Sequence, residues 1–284
     1  MVSSVYRPCL SFLYKLIYLD MKLVSLNVAV FQANNKHLFK FFQEQNADFI
    51  CLQEISRGLE DSVDKNYITI DPVNKATTSL KYFFYGPNTV FSEFKVSNYH
   101  DTLFSFAFGG QLEFGNYTKS KFEILKAQNI FIENHFTYSH DRSGWPEEDY
   151  RAVLVTDHEV NGKKLRILNY HGIWTRNKLG NKKTLKGNKI INYLALQAEG
   201  EVIICGDFNL LPHTPSMKLF EKNFVSLVDK FGIKRTRPKS NELNHLKRNV
   251  VDYIWVSRGV KIKKFEAPDV EISDHLPLIL DFDL

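Results

Sequence analysis

The sequence predicts an α/β fold, a two-sheet mixed β-sandwich flanked by helices, and three observations carry that prediction. Short apolar, β-rich runs recur along the chain and gather in two strand-rich halves. Some of these runs are joined by helical patterns and others by Gly/Asn turns, which is the signature of layered mixed sheets. Finally, six short polar motifs are spread from Asn27 to His275, and most of them lie where such a run ends.

Met21–Val28 and Asp48–Gln53 are the first two runs. Between them Asn34-Asn35 offers a helix N-cap, and Leu38, Phe39, Phe41 and Phe42 supply an apolar stripe up to Gln45, so the opening reads strand, helix, strand. From Lys81 to Ile132 aromatic runs such as Tyr82–Tyr85 and Leu103–Phe108 alternate with Gly/Asn turns, Gly86-Pro87-Asn88 among them. Antiparallel strands fit that pattern. Tyr150–Asp157 and Lys164–Tyr170 flank Asn161-Gly162, a strong short-range hairpin signal. Lys182–Gln197 is an amphipathic helix through Leu185, Ile190, Ile191 and Leu194. Glu201–Cys205 is a buried strand running into the turn Gly206-Asp207-Phe208-Asn209. A short helix is expected near Ser216–Lys222, then strands at Val250–Val256 and Leu278–Phe282.

The chain has 284 residues, 44% of them hydrophobic, with 23 Phe and 13 Tyr, enough for one large core. It has no Pro/Ser/Gly-rich linker and no repeat of fixed period, so residues 21–284 are expected to form one domain. Leu10 to Leu19 is apolar but interrupted by Lys15, too short to span a bilayer, and no small-residue cleavage site follows it. Residues 1–20 are therefore expected to be an extension outside the fold, with no stable membrane span. Three cysteines, Cys9, Cys51 and Cys205, cannot all pair, and two of them sit inside apolar runs as small hydrophobes. No disulfide framework is implied, which favours a reducing compartment, the cytoplasm.

The formal net charge is +5, and the bases are clustered. Arg176, Lys178, Lys182, Lys183, Lys186 and Lys189 follow one another with no acid between them. Lys234, Arg235, Arg237, Lys239, Lys247 and Arg248 are interrupted by the single acid Glu242. Each run alone could be a solvated surface, but both flank the polar motifs, where positive charge would concentrate a polyanion.

The motifs themselves are Ser25-Leu26-Asn27, Leu52-Gln53-Glu54, Asn169-Tyr170-His171, Gly206-Asp207-Phe208-Asn209, Val251-Asp252-Tyr253 and Ser273-Asp274-His275-Leu276-Pro277. A carboxylate after a buried strand is costly unless solvated, paired or metal-bound, and magnesium suits one or two carboxylates with water. Glu54 is such a carboxylate. Asn27 could hold a neighbouring carboxylate or a water, or simply form a turn. Gly206 permits a sharp exit from its strand, Asp207 could orient or deprotonate water, and Asn209 could donate to a phosphate oxygen. An imidazole at His275 needs an orienter to fix its tautomer, and Asp252 is the candidate. Trp145 and Trp174 could stack on a base, or serve as core or rim aromatics.

In kind and order these motifs resemble those of the endonuclease/exonuclease/phosphatase superfamily, the deoxyribonuclease-I-like fold, over residues 21–284. The resemblance implies Glu54 as principal metal ligand with Asn27 and Asp274 at the metal, and Mg2+ (or Mn2+) as the cofactor. It implies His171, Asp207, Asn209, Asp252 and His275 as the catalytic group, with His171 and Asn209 meeting substrate. Trp174 as a stacking aromatic and Arg176 as the first base of its run are expected to meet substrate beside them. The Asn-x-His at His171, and Val28-Ala29-Val30 after Asn27, differ from the apurinic-site endonuclease branch. The expected activity is phosphodiester hydrolysis by in-line attack of water, on nucleic acid first, by a monomer. A lipid or sugar-phosphate phosphoesterase is the rival enzyme. A catalytically silent binding module is the reading from another class, and intact motifs argue against it.

Overall fold

The computed structural model describes residues 20–29, 34–96, 104–133, 136–139, 150–240 and 249–284. The strands are β1 (Met21–Asn27), β2 (Phe49–Gly58), β3 (Tyr82–Val96), β4 (Phe104–Ser120), β5 (Ile124–Glu133), β6 (Thr137–Ser139) and β7 (Arg151–Val160). Then follow β8 (Lys163–His171), β9 (Glu201–Asp207), β10 (Val225–Ser226), β11 (Asp252–Val256), β12 (Lys261–Glu266) and β13 (Leu278–Asp283). The helices are α1 (Lys36–Gln45), α2 (Ile70–Ala76), α3 (Lys182–Leu196), α4 (Pro215–Glu221) and α5 (Leu227–Lys230). Among the described residues, seven strands form one sheet in the order β12-β13-β1-β2-β4-β3-β6 and six form the other, β10-β11-β9-β8-β7-β5. This is the predicted α/β sandwich. No helix among the described residues is long and apolar enough to cross a membrane.

Alternation along the strands explains why the first sheet reads as continuous apolar runs. Leu23, Phe49 and Cys51 point into the core between the sheets, against Ile167, Ile203 and Cys205. Their neighbours Val24, Leu26, Ile50 and Leu52 point to the other face, where Leu38, Phe41 and Phe42 of α1 and Val73 of α2 cover them. Both faces are dry, so both sets are apolar. Cys51 and Cys205 are buried free thiols in this core, and Cys9 lies outside the described residues.

Three buried amides cross from sheet to sheet. Gln53 Nε2 donates to Asn169 Oδ1 at 2.7 Å, and Asn169 Nδ2 donates to the carbonyls of Leu52 and Tyr117, each at 3.1 Å. Asn116 Nδ2 donates to the Ala152 carbonyl at 2.9 Å. Two of the three parallel pairs among the described residues, β1–β2 and β8–β9, are bridged by α1 and α3. Asn35 caps α1 by accepting from Leu38 N at 3.0 Å, and Asn181 forms a capping box with Thr184 on α3. At the β7–β8 hairpin Asn161 and Gly162 both have positive φ, 53° and 76°, as its two-residue turn demands.

The tripeptide Gly86-Pro87-Asn88, expected to form a turn, instead runs through the middle of β3. The β3–β4 register slips between Pro87 and Thr89, so the proline sits at a bulge, where a missing N–H is tolerated. Strand β12 and helix α2 were not foreseen. β12 is a half-exposed edge strand whose sequence, Lys-Ile-Lys-Lys-Phe-Glu, is charged in the way that discourages edge-to-edge pairing, which hides it from an apolar-run search.

His158 is buried beside Phe49, with Nε2 2.9 Å from Thr156 Oγ1, and burial pushes its pKa down to about 4. The unfolded chain protonates this imidazole near its ordinary value, while the folded chain does so only near 4. Stability is therefore complete above about pH 6.5 and is lost as pH falls towards 4, by up to roughly 3 kcal/mol. Denaturant unfolding at pH 7 and pH 4.5 should show this loss, and His158→Gln should remove most of it. Equal pH dependence in the variant would place the acid sensitivity elsewhere.

Candidate active site

Strand polarity gathers the motifs at one end of the sandwich. β1 and β2 are parallel, so Asn27, the last residue of β1, is paired with Gln53 in the middle of β2, beside Glu54. In the other sheet β8 and β9 are parallel and pair His171 with Asp207, while antiparallel β11 brings its first residue, Asp252, opposite Asp207. β13 runs antiparallel to β1, so the segment entering it, with Asp274 and His275, starts over the same end.

Glu54 occupies a bulge: the β2–β4 register slips between Leu52 and Ile55, and Glu54 itself has φ of 61°. A left-handed non-glycine residue costs about 1–2 kcal/mol, and here it turns a carboxylate out of the ladder. Asn27 Nδ2 donates to Glu54 Oε1 at 3.0 Å and lies 3.3 Å from Asp207 Oδ2, while its Oδ1 accepts from Ala29 N at 2.9 Å. Asn27 thus ties carboxylates from the two sheets together through its nitrogen. Burial, and then the negative charge of Asp274, raise the pKa of Glu54. Burial beside another acid makes Glu54 a carboxylate that a divalent cation would neutralise. Asp274, whose carboxyl is held against burial below its ordinary value by His275 and Arg237, is the anionic neighbour that would share the ion, so the residues fit a magnesium ion.

His275 is enclosed by acids. Its Nδ1 lies 2.9 Å from both oxygens of Asp252, and its Nε2 lies 3.7 Å from Asp207 Oδ2 and 3.9 Å from Asp274 Oδ2. Burial and the Arg237 charge oppose protonation, but Asp252, Asp274 and Asp207 outweigh them and push the pKa up to about 9. Protonated, the ring is a donor at both nitrogens. Ligand atoms of Asp207, Asp252 and His275 lie within 4.8 Å of one another, spacing that could also suit a metal. His275 already lies among those carboxylates and Arg237 already pairs with Asp274, so Glu54 is the acid at this end that a cation would serve most.

The turn after β9 shapes the remainder. Gly206 has φ of 131°, and a Cβ there would meet the Tyr170 carbonyl oxygen at 2.0 Å, so no other residue fits this exit. Asp207 Oδ1 accepts from Asn209 N at 2.8 Å, which leaves Oδ2 facing Asn27 and both histidines. His171 Nε2 is 3.7 Å from Asp207 Oδ2 and 3.7 Å from Glu54 Oε1. Asn209 Nδ2 donates to the Gly172 carbonyl at 3.2 Å. Trp174 is half-buried, with Lys178 Nζ 4.7 Å from its ring centroid, so one face is occupied by a cation. Arg176 is exposed on the same loop and joins none of these hydrogen bonds or ion pairs. Trp145 lies outside the described residues.

Three residues of the site were not singled out from sequence. Arg237 is buried and donates to Asp274 Oδ2 at 3.1 Å; in the sequence it is one base among six. Thr236 Oγ1 accepts from Val251 N and Asp252 N, and its carbonyl accepts from Leu276 N at 2.8 Å, splinting Asp252 to the His275 segment. A lone Thr carries no signal of that. Lys178 is only 5% exposed and donates to Asn209 Oδ1 at 2.5 Å. The second basic run is partly neutralised, since Arg235 and Lys239 both pair with Asp269, and its residues 241–248 lie outside the described residues.

The sequence profile of the Endonuclease/Exonuclease/phosphatase family matches residues 24–275. Comparison with curated protein sequences gives no significant match. Among solved structures, an endonuclease/exonuclease/phosphatase from Beutenbergia cavernae is similar at a TM-score of 0.65 and 14% identity, over 93% of this chain and 72% of that one. D. rerio TDP2 complexed with single strand DNA product gives 0.64 and 14%, over 93% and 99%. The mannosyl-6-phosphatase of Bacteroides thetaiotaomicron gives 0.62 and 14%, over 93% and 100%. At such identities the likeness is one of fold.

Proposed function

The chain belongs to the endonuclease/exonuclease/phosphatase family and is a hydrolase of phosphoester bonds; on that premise we propose that it uses magnesium, with manganese as substitute, to cleave nucleic-acid phosphodiesters by in-line attack of water. One observation carries the reading: Glu54 and Asn27 from one sheet meet Asp207, His171 and Asp252 from the other at a shared end, with His275 clamped among the acids. Glu54 and Asp274 would hold the ion, which when bound supplies Lewis-acid polarisation of a phosphoryl oxygen. Asp207 keeps Oδ2 available to orient water and take its proton. His275, its Nδ1 held by Asp252, would donate from Nε2 to the phosphoryl oxygens. Asn209 donates to the same oxygens and His171 to the leaving oxygen.

Substrate choice rests on charge. Arg176, Lys182, Lys186 and Lys189 are exposed, and α3 has no acid in its first turn. Cations at a helix N-terminus oppose the macrodipole, so their placement there costs stability and suits an anion. The TDP2 neighbour bound to a DNA product agrees with this choice, and the sugar-phosphatase neighbour supports the rival. Buried free thiols fit a reducing compartment, the cytoplasm, and we propose a monomer of one domain over residues 21–284.

The test is hydrolysis of a phosphoester panel, with magnesium and with chelator, spanning DNA, RNA, phospholipid vesicles and sugar phosphates. Oligonucleotide binding by Asp207→Asn should fall steeply as salt rises, because each neutralised phosphate releases counterions. Lys183 already pairs with Glu133, so Lys182, Lys186 and Lys189 are the residues to replace. Their change to Gln should lower the log–log slope by about one unit per lost phosphate contact. A flat salt response, with turnover of sugar phosphates instead, would transfer the assignment to the rival.

A further inference from the structure

Lys178 sits where a lysine is expensive. It is 5% exposed, and its backbone has φ of 59°, a left-handed conformation that a side chain disfavours. Its carbonyl accepts from Leu211 N at 2.8 Å, locking the loop after β8 to the turn after β9. Its ammonium is 2.5 Å from Asn209 Oδ1 and 4.7 Å from the centroid of the Trp174 ring. We propose that Lys178 is a positioning residue, whose buried ammonium orients and polarises the amide of Asn209 so that Nδ2 is presented to a phosphoryl oxygen. The inference rests on the phosphoesterase reading.

The argument is one of donor chemistry. An ammonium can only donate, so the atom facing it must be Oδ1, and a carbonyl can only accept, so the atom facing Gly172 must be Nδ2. Both constraints give the same amide orientation. One hydrogen of Nδ2 serves Gly172, and the other is the one the proposal assigns to a phosphoryl oxygen. Drawing electron density from Oδ1 with a full positive charge makes that second hydrogen a stronger donor. Its benefit is largest when charge builds on the phosphoryl oxygens, so Lys178 should act on turnover more than on substrate affinity.

Lys178→Met keeps the stem and removes the charge. With magnesium and bis-p-nitrophenyl phosphate, kcat should fall by about tenfold with KM changed far less, a smaller loss than deleting a direct donor. Lys178→Gln, which can still donate, should recover part of it. In an Asn209→Ala background Lys178→Met should cost nothing more. The melting temperature of Lys178→Met should change little, since removal of a buried charge is offset by the Asn209 Oδ1 left without its donor. Separately from activity, the side-chain 15N–1H amide pair lost in Asn209→Ala should move in Lys178→Met. An unmoved pair overturns the proposal, as does unaltered kcat in Lys178→Met while the wild type is active. A wild type inert towards every phosphoester overturns the functional reading and the role with it, and the amide signal then reports that the contact alone is real.

Discussion

Replacing Glu54 with glutamine should leave the protein folded and lower its turnover by roughly a hundredfold or more at limiting magnesium, because Lewis-acid stabilisation is worth several kcal/mol. The change keeps the side-chain size and the hydrogen bond from Asn27, and removes one negative charge. Since burial and Asp274 already oppose that charge, the fold should be slightly more stable without it. Added magnesium should restore part of the rate, with a raised midpoint in the metal titration. Wild-type rates at limiting magnesium, with an unchanged midpoint, would remove Glu54 from the metal site.

His275→Ala should lower turnover by about two to four orders of magnitude, the usual worth of a positioned acid or base. Asp252→Ala should fall in the same range, because both Asp252 oxygens are engaged by His275 Nδ1 and its loss frees the ring. The double variant should be little worse than His275→Ala alone, as expected of residues that act as a unit. Multiplicative losses in the double variant would show that the carboxylate acts independently of the imidazole.

Much of this arrangement is legible in sequence because it depends on local chemistry. Asn161-Gly162 marks its hairpin, Asn35 caps its helix, and Gly206-Asp207-Phe208-Asn209 follows an apolar run as only a strand exit would. Other features depend on partners far away along the chain. Pro87 looks like a turn until β4 supplies the register slip that accommodates it, and β12 looks like solvated loop until β13 pairs with it. Lys178 and Arg237 read as surface charge, because a basic residue shows its burial only when Asn209 or Asp274 is brought to it. Asn27 is the intermediate case. Its place at a strand tip is visible, but its use as a tie between carboxylates of two sheets is not.

The amides that cross between the sheets have a bearing on how such a protein could change its diet. Half of the constellation hangs from each sheet, so the reach from Glu54 to Asp207 is set by the thickness of the sandwich. Gln53, Asn169 and Asn116 hold that thickness with hydrogen bonds that no water can replace in a dry interior. The spacing of the floor is therefore set by bonds of the fold itself. Acceptance or refusal of a substrate falls to the rim, where loops can lengthen or swap residues without disturbing the spacing below. A lineage could thus pass from polymer to small ester through its rim alone, with the same acids and imidazoles underneath.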